Sequence, residues 1–280
     1  MNLINIIKSI MKVWGIRLKL KEIYEPIDQR INKMEDELNN LFSDAGIPCI
    51  NELFGYFFKN SGKHLRPALT FLSAGAVKKQ DDINDNNLVQ LALAFELLHS
   101  ASLVHDDIID EDLTRRGQKT LNNVFGNKIA VLAGDTLYSS AYSIMSNLFP
   151  REYSQDIANL GFKMCVAEIE QAKGSLNREN YFKVIEGKTA LFMSICCKLG
   201  ASLAGATESQ LKSLENFGLN LGMAYQIKDD YMDDDPNGLK HATIDDAWNF
   251  ASKAKESVSG LDDSVYKQNL CGLVDYIMNV

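Results

Sequence analysis

The sequence predicts an all-α, single-domain protein over residues 1–280. Two patterns carry that expectation. Apolar residues recur at helical spacing almost everywhere, and no segment shows sustained period-two alternation. Proline is scarce, at five of 280 residues, and no linker of turn-forming residues divides the chain. With 46% apolar and 24% charged residues there is material for a substantial core. A net charge of −8 argues against nucleic acid as a partner. Cys49, Cys165, Cys196, Cys197 and Cys271 lack metal-ligand spacing and read as reduced thiols of a cytoplasmic protein. No uninterrupted apolar run reaches transmembrane length.

Taken in order, residues 1–20 form a basic amphipathic helix with a stripe of Ile4, Ile7, Met11, Trp14 and Leu18. Lys8, Lys12, Arg17 and Lys19 break up the apolar run, and no small-residue cleavage site comes after it, so it does not read as a signal peptide. It reads as a helix packed on the domain or on a partner subunit, or as a peripheral membrane contact. A second helix runs over 20–43 through Ile23, Ile27, Ile31, Met34 and Leu38, and a third over 51–59. The stretch 62–67 (GKHLRP) places two cations and a histidine at the start of a helix that continues to 77, with Pro67 in its first turn. A polar loop over 78–87 precedes a long apolar helix ending in an acidic block. An exit loop spans 114–126. Helices then run over 128–148, 152–173, 178–204 and 208–233, with two shorter ones over 245–257 and 264–278.

The acidic block lies in residues 103–117 (LVHDDIIDEDLTRRG). Five acids, Asp106, Asp107, Asp110, Glu111 and Asp112, fall within seven residues, and Arg115 and Arg116 come directly after. Asp106 and Asp110 are four apart and share a helix face. Carboxylates at a helix C-terminus oppose the dipole and repel one another at i,i+4, so the pair calls for a cation. A second block stands in residues 222–235 (GMAYQIKDDYMDDD), where Asp229 and Asp233 repeat the spacing and Asp230 repeats Asp107. All-oxygen carboxylate sets suit hard cations, and Mg²⁺ in particular binds through a few carboxylates plus phosphate oxygens. Two such clusters facing across a helical cavity would hold ions on one diphosphate, and those ions would neutralise the leaving group as Lewis acids. Lys63, Arg66, Arg115, Arg116 and Lys188 are the candidate cations to complete the shell. The apolar interior is left for a hydrocarbon. That chemistry is ionisation of an allylic diphosphate in an apolar pocket.

Given these motifs, the chain resembles the trans-isoprenyl (polyprenyl) diphosphate synthases. The resemblance covers residues 62–235. It rests on GKHLRP, the first DDxxD at 106–110 with the RRG beyond it, Glu168-Ile169-Glu170-Gln171, Gly187-Lys188-Thr189-Ala190, and the second motif at 222–233. It implies a helical bundle around a deep central cavity, of isoprenoid synthase type, working as a homodimer. It implies Mg²⁺, three ions per active site, with Asp106, Asp110 and Asp229 as direct ligands and Asp107, Asp230 and Asp233 as further or water-mediated ones. Arg115 and Lys188 would hold the allylic prenyl diphosphate, and Lys63, Arg66, His99 and Arg116 the isopentenyl diphosphate. Thr189, Gln171 and Gln226 would turn oxygens towards the allylic cation. The departing pyrophosphate would take the final proton.

Chain length is set on the helix before the first motif. Ala101 and Ser102 lie five and four residues before Asp106, about one turn below it. Family members with aromatic residues there stop early, so two small residues leave the tunnel open down to Phe95, Tyr138 or Tyr142. The expected product is a medium to long all-trans chain, longer than farnesyl and suited to a quinone side chain. After Asp235 the sequence is shorter than the family pattern and lacks its usual Gly-Lys segments. His64 stands for a usual arginine and Tyr225 for a usual phenylalanine. That departure keeps open a non-catalytic or regulatory prenyl-diphosphate-binding subunit of a heteromeric synthase. A terpene cyclase fits less well, because GKHLRP and RRG provide for a second diphosphate that a cyclase lacks.

Overall fold

The computed structural model describes residues 20–43, 46–60, 62–77, 85–148, 151–174, 176–233 and 235–279. The amphipathic stripe expected over residues 1–20 lies outside them; of that segment only Leu20 is described. The described chain is helical throughout, with one two-stranded exception. Helix α1 (Leu20–Tyr24) leads through a 3₁₀ turn (Glu25–Ile27) into α2 (Asp28–Ser43). The single helix expected over 20–43 is thus interrupted at Pro26, which cannot donate a backbone hydrogen bond. Next come α3 (Pro48–Phe57), α4 (Leu65–Val77) and α5 (Asp85–Ile109).

The expected exit loop contains a small hairpin, β1 (Thr114–Arg115) antiparallel to β2 (Gln118–Lys119). Its two-residue turn is Arg116-Gly117, at φ 51° and 75°. Two positive φ values in a row match the primed turns that suit strand twist, which explains the glycine. A short α6 (Leu121–Phe125) leads into α7 (Asn127–Leu148) and α8 (Arg151–Ala172). The helix expected over 178–204 is three pieces: α9 (Arg178–Ile185), a π-helical turn (Glu186–Ala190) and α10 (Leu191–Leu203). Helix α11 (Glu208–Met232) starts at a capping box between Thr207 and Gln210. A short α12 (Pro236–His241), not expected from the sequence, precedes α13 (Ile244–Ser257) and α14 (Val265–Asn279).

Helix α5 is the central element. It packs most extensively on α7, and also on α2, α4 and α10. It is long and apolar enough to cross a membrane by length and composition, yet 72% of its most apolar window is buried inside the fold. It therefore reads as a core helix. Around it, α11 packs on α10 and α13, and α10 packs on α4. Gly222 permits the close approach of α11 to the π-turn: a side-chain carbon there would run into the Ala190 backbone. All five cysteines are free, with Cys196 and Cys197 buried in α10.

Candidate active site

The first acidic block divides in two at the end of α5. Asp107 is buried and turns towards the hairpin, where Arg115 Nε donates to its Oδ1 at 2.5 Å and Asn122 donates to its backbone carbonyl. Arg115 also pairs with Asp112 at 3.5 Å. Adjacent helix positions diverge by about 100°, so Asp106 and Asp110 face elsewhere. They lie in the field of Lys188 and Glu168. Burial pushes the Asp106 carboxyl up to about 6; the charges of Glu168 and Asp110 add to this, while Lys188 and Arg115 oppose it. Burial raises Asp110 as well.

Lys188 sits in the π-turn, 2.5 Å from Glu168 and 3.4 Å from the amide oxygen of Gln171. Burial would pull its ammonium down, but Asp106 and Glu168 outweigh burial and hold it above its ordinary range. The extra residue of a π-turn rotates the helix beyond it, and such bulges recur at functional sites. Here it brings Lys188 under the first block and Thr189 against α11, where the Thr189 hydroxyl donates to Gln226 Oε1 at 2.7 Å.

The second block divides the same way. Asp230 accepts from Tyr181 Oη at 2.6 Å and Gln226 Nε2 at 2.8 Å. Asp229 instead lines a cavity of about 630 Å³. Burial raises its carboxyl, the charges of Asp233 and Asp230 add, and Lys63 and Lys228 oppose. Asp233 caps α11 and is exposed. Lys228 ties the helix to α14 through the Ile277 carbonyl at 2.8 Å.

The same cavity gathers Lys63, Arg66, His99 and Arg116, with Tyr24, Tyr225 and Tyr276 on its walls. Tyr24 donates to the Lys63 carbonyl at 2.9 Å, and the Arg66 guanidinium lies 4.7 Å over the Phe192 ring. Arg66 Nε and His99 Nδ1 are buried without a hydrogen-bond partner among the described residues. Burial, reinforced by the charges of Arg66, Arg116, Arg115 and His64, holds His99 well below its usual range, so it is neutral. An unsatisfied buried donor on Arg66 in a cationic cavity fits an anion. His64 anchors the wall from behind. It adopts φ 48° and sits 2.8 Å from Glu35 and 3.1 Å from Glu96. Burial lowers its imidazolium, but Glu96 and Glu35 outweigh burial and the net shift is upward.

Of the residues singled out from the sequence, Lys63, Arg66, His99, Arg116 and Asp229 share one cavity. Asp106 and Asp110 share the field of Lys188, while Thr189, Gln226 and Asp230 form one network. Arg115, Asp107 and Asp230 are held by neighbouring side chains. Ala101 is fully buried, and Ser102 donates to the His99 carbonyl at 2.8 Å. Sequence reasoning missed Glu96, Glu168, Tyr24, Tyr181 and Tyr276. Glu168 opens the 168–171 motif, and that was its only signal; the others are brought in by tertiary packing.

The polyprenyl synthetase family model matches residues 47–248. The chain belongs to the polyprenyl synthetase family. Heptaprenyl diphosphate synthase component 2 of Bacillus subtilis (strain 168) is 33% identical over 225 residues, covering 79% of this chain and 63% of that protein. Octaprenyl diphosphate synthase of Haemophilus influenzae is 32% identical over 219 residues, covering 77% and 64%. The chain thus spans a little under two thirds of the length of these two relatives. Among solved structures, a geranylgeranyl pyrophosphate synthetase from the archaeon Geoglobus acetivorans superposes with a TM-score of 0.78 at 26% identity, covering 91% of this chain and 99% of that one. A decaprenyl diphosphate synthase from Rhodobacter capsulatus shares the fold, with a TM-score of 0.83 at 24% identity and 93% and 98% coverage. The polyprenyl synthetase fold accounts for an α-helical bundle with both acidic motifs at the C-terminal ends of core helices.

The raised carboxyls make a sign-specific prediction for metal-free protein. A folded-state value of about 6 for Asp106, against about 3.9 unfolded, gives stability that is present below pH 4 and lost as pH rises through 6. In chelator, Asp106→Asn should therefore gain in Tm relative to wild type between pH 5 and pH 7. A difference that is flat or falls with pH contradicts the assignment.

Proposed function

We propose that this chain is a prenyltransferase that condenses isopentenyl diphosphate with an allylic prenyl diphosphate to give a medium- or long-chain all-trans product. The observation that carries this reading is the pairing of two charge environments. One is a set of partly desolvated carboxylates from two helices, whose acidities are all weakened; the other is a cationic cavity with unsatisfied buried polar atoms. Two anionic substrates need both.

The donor set fits a hard divalent cation. It is all oxygen, and burial and mutual repulsion raise Asp106, Asp110 and Asp229 together. Among the described residues no three metal-binding side chains already converge on one point. An oxygen-only donor set of few carboxylates suits Mg²⁺ shared with diphosphate oxygens. Asp106, Asp110, Asp229 and Asp233 would hold the Mg²⁺ ions, three by family resemblance, which would supply Lewis-acid neutralisation of the leaving diphosphate.

The remaining work falls to the chain. Lys188, pinned by Glu168, holds the allylic diphosphate beside Asp106 and Asp110. Lys63, Arg66, Arg116 and neutral His99 hold the isopentenyl diphosphate in the 630 Å³ cavity. The allylic C1–O bond breaks with its electron pair leaving on pyrophosphate. The isopentenyl alkene then forms the new C–C bond to C1, and the proton lost from the adduct goes to pyrophosphate. Thr189 and Gln226 face the developing positive charge with oxygen lone pairs. Phe162, Val166 and Ile169 form an exposed apolar stripe on α8, and Ile129 and Leu132 are exposed on α7. These faces support a homodimer across α7 and α8. The greasy product and the basic, amphipathic sequence of residues 1–20 support peripheral membrane contact for a cytoplasmic enzyme. The similarity to a relative named as component 2 favours a second reading, a subunit of a heteromeric synthase.

Incubated with Mg²⁺, isopentenyl diphosphate and farnesyl or geranylgeranyl diphosphate, the purified protein should yield elongated products. No elongation by the chain alone, but elongation on adding a second subunit, moves the assignment to the heteromeric reading. No elongation under either condition rejects prenyl transfer. Ala101→Phe should shorten the product by one or more isoprene units in chromatographic sizing; an unchanged length rejects the tunnel.

A further inference from the structure

Four side chains from three segments form one unbroken run of hydrogen bonds. Tyr181, from α9, donates to Asp230 Oδ2 on α11. Gln226 Nε2, one turn earlier on α11, donates to Asp230 Oδ1. Thr189, from the π-turn, donates to Gln226 Oε1. The polarity of the run is fixed from one end. An ionised carboxylate only accepts, so the amide must turn its nitrogen to Asp230 and its oxygen to Thr189. The Thr189 proton is then committed to Gln226, and its oxygen keeps lone pairs for other use. Each link polarises the next, so negative charge on Asp230 is felt as added electron density at the Thr189 oxygen.

Asp230 is also confined. Gly238 of α12 lies against it so closely that a methyl group there would collide with the Asp230 side chain. The Tyr181 ring, buried, lies 5.9 Å from the His241 ring at the end of the same helix. Asp229, one residue earlier, has none of these bonds and instead lines the cavity with Lys63. Two adjacent aspartates of one motif thus have different surroundings.

We propose that Asp230, clamped by Tyr181, is the anionic end of a relay that fixes the Gln226 amide and aims the Thr189 oxygen at the allylic cation, and is not a metal ligand. Tyr181 and Asp230 are positioning residues. The proposal rests on the prenyl-transfer reading for its kinetic half and on geometry alone for its metal half.

The metal half is tested by titrating Mn²⁺ in the presence of inorganic pyrophosphate and monitoring free Mn²⁺ by electron paramagnetic resonance. Asp230→Asn should bind Mn²⁺ within about twofold of wild type, while Asp229→Asn loses about tenfold or more. Equal losses in the two variants overturn the proposal. The kinetic half uses Tyr181→Phe, which keeps the buried ring. Its single-turnover rate should fall by roughly 10–100-fold with KM for both diphosphates unchanged. In a Thr189→Val background the same change should cost less than about twofold, because its route of action is gone. A full Tyr181→Phe effect in that background shows a structural role and overturns the relay. If wild type itself shows no turnover, the prenyl-transfer reading fails, and the Mn²⁺ comparison still decides whether Asp230 is a ligand.

Discussion

Partial desolvation of like-charged carboxylates is the constraint on which the site depends. Asp106 and Asp110 end one core helix and Asp229 ends another, each at the pole where the helix dipole already disfavours negative charge. Burial raises all three carboxyls, and like charges on neighbouring turns add to the cost. A fold tolerates such a cluster only where something positive offsets it. Lys188 supplies part of the compensation at the first block and Lys63 and Lys228 part of it at the second. On the proposed reading, bound cations and their phosphate ligands would supply the rest.

The opposite imbalance lies across the cavity. Arg66 is buried over Phe192 with an unused Nε, and His99 is kept neutral beneath a cluster of cations. On the proposed reading, the negative site would take one diphosphate through bound cations and the positive site would take the other directly. Each substrate would relieve a cost that folding has left in place. Structural supports sit one layer out: Glu168 holds Lys188, Glu35 and Glu96 hold His64, and α14 reaches Lys228 through Ile277. Tyr276 of α14 also stands 5.7 Å from the Lys63 ammonium, so the final helix forms part of the cavity wall.

Most of the architecture was legible from the sequence, because apolar periodicity reports helices directly. The long helix before each acidic block and the loops between helices fall close to where spacing and turn residues place them. Three breaks were not legible. Pro26 turns a continuous pattern into two helices, and Arg116-Gly117 closes a hairpin too short to show alternation. The π-turn at 186–190 keeps the apolar spacing while adding a residue to one turn. The site divides similarly. Residue types pointed to the aspartates, lysines and arginines, but DDxxD alone cannot say which of two adjacent aspartates faces the cavity. That depends on Arg115 for Asp107 and on Tyr181, Gln226 and Gly238 for Asp230, partners set by packing between distant segments.

The central claim is that the uncompensated carboxylates and the cationic cavity form one diphosphate site completed by divalent cations. Calorimetric titration of inorganic pyrophosphate into the protein, with Mg²⁺ and again in chelator, tests it most directly. Mg²⁺ should tighten binding by roughly a hundredfold, about 2.7 kcal/mol, and pyrophosphate should in turn promote Mg²⁺ uptake by the same factor. Equal pyrophosphate affinity in the two conditions would contradict it.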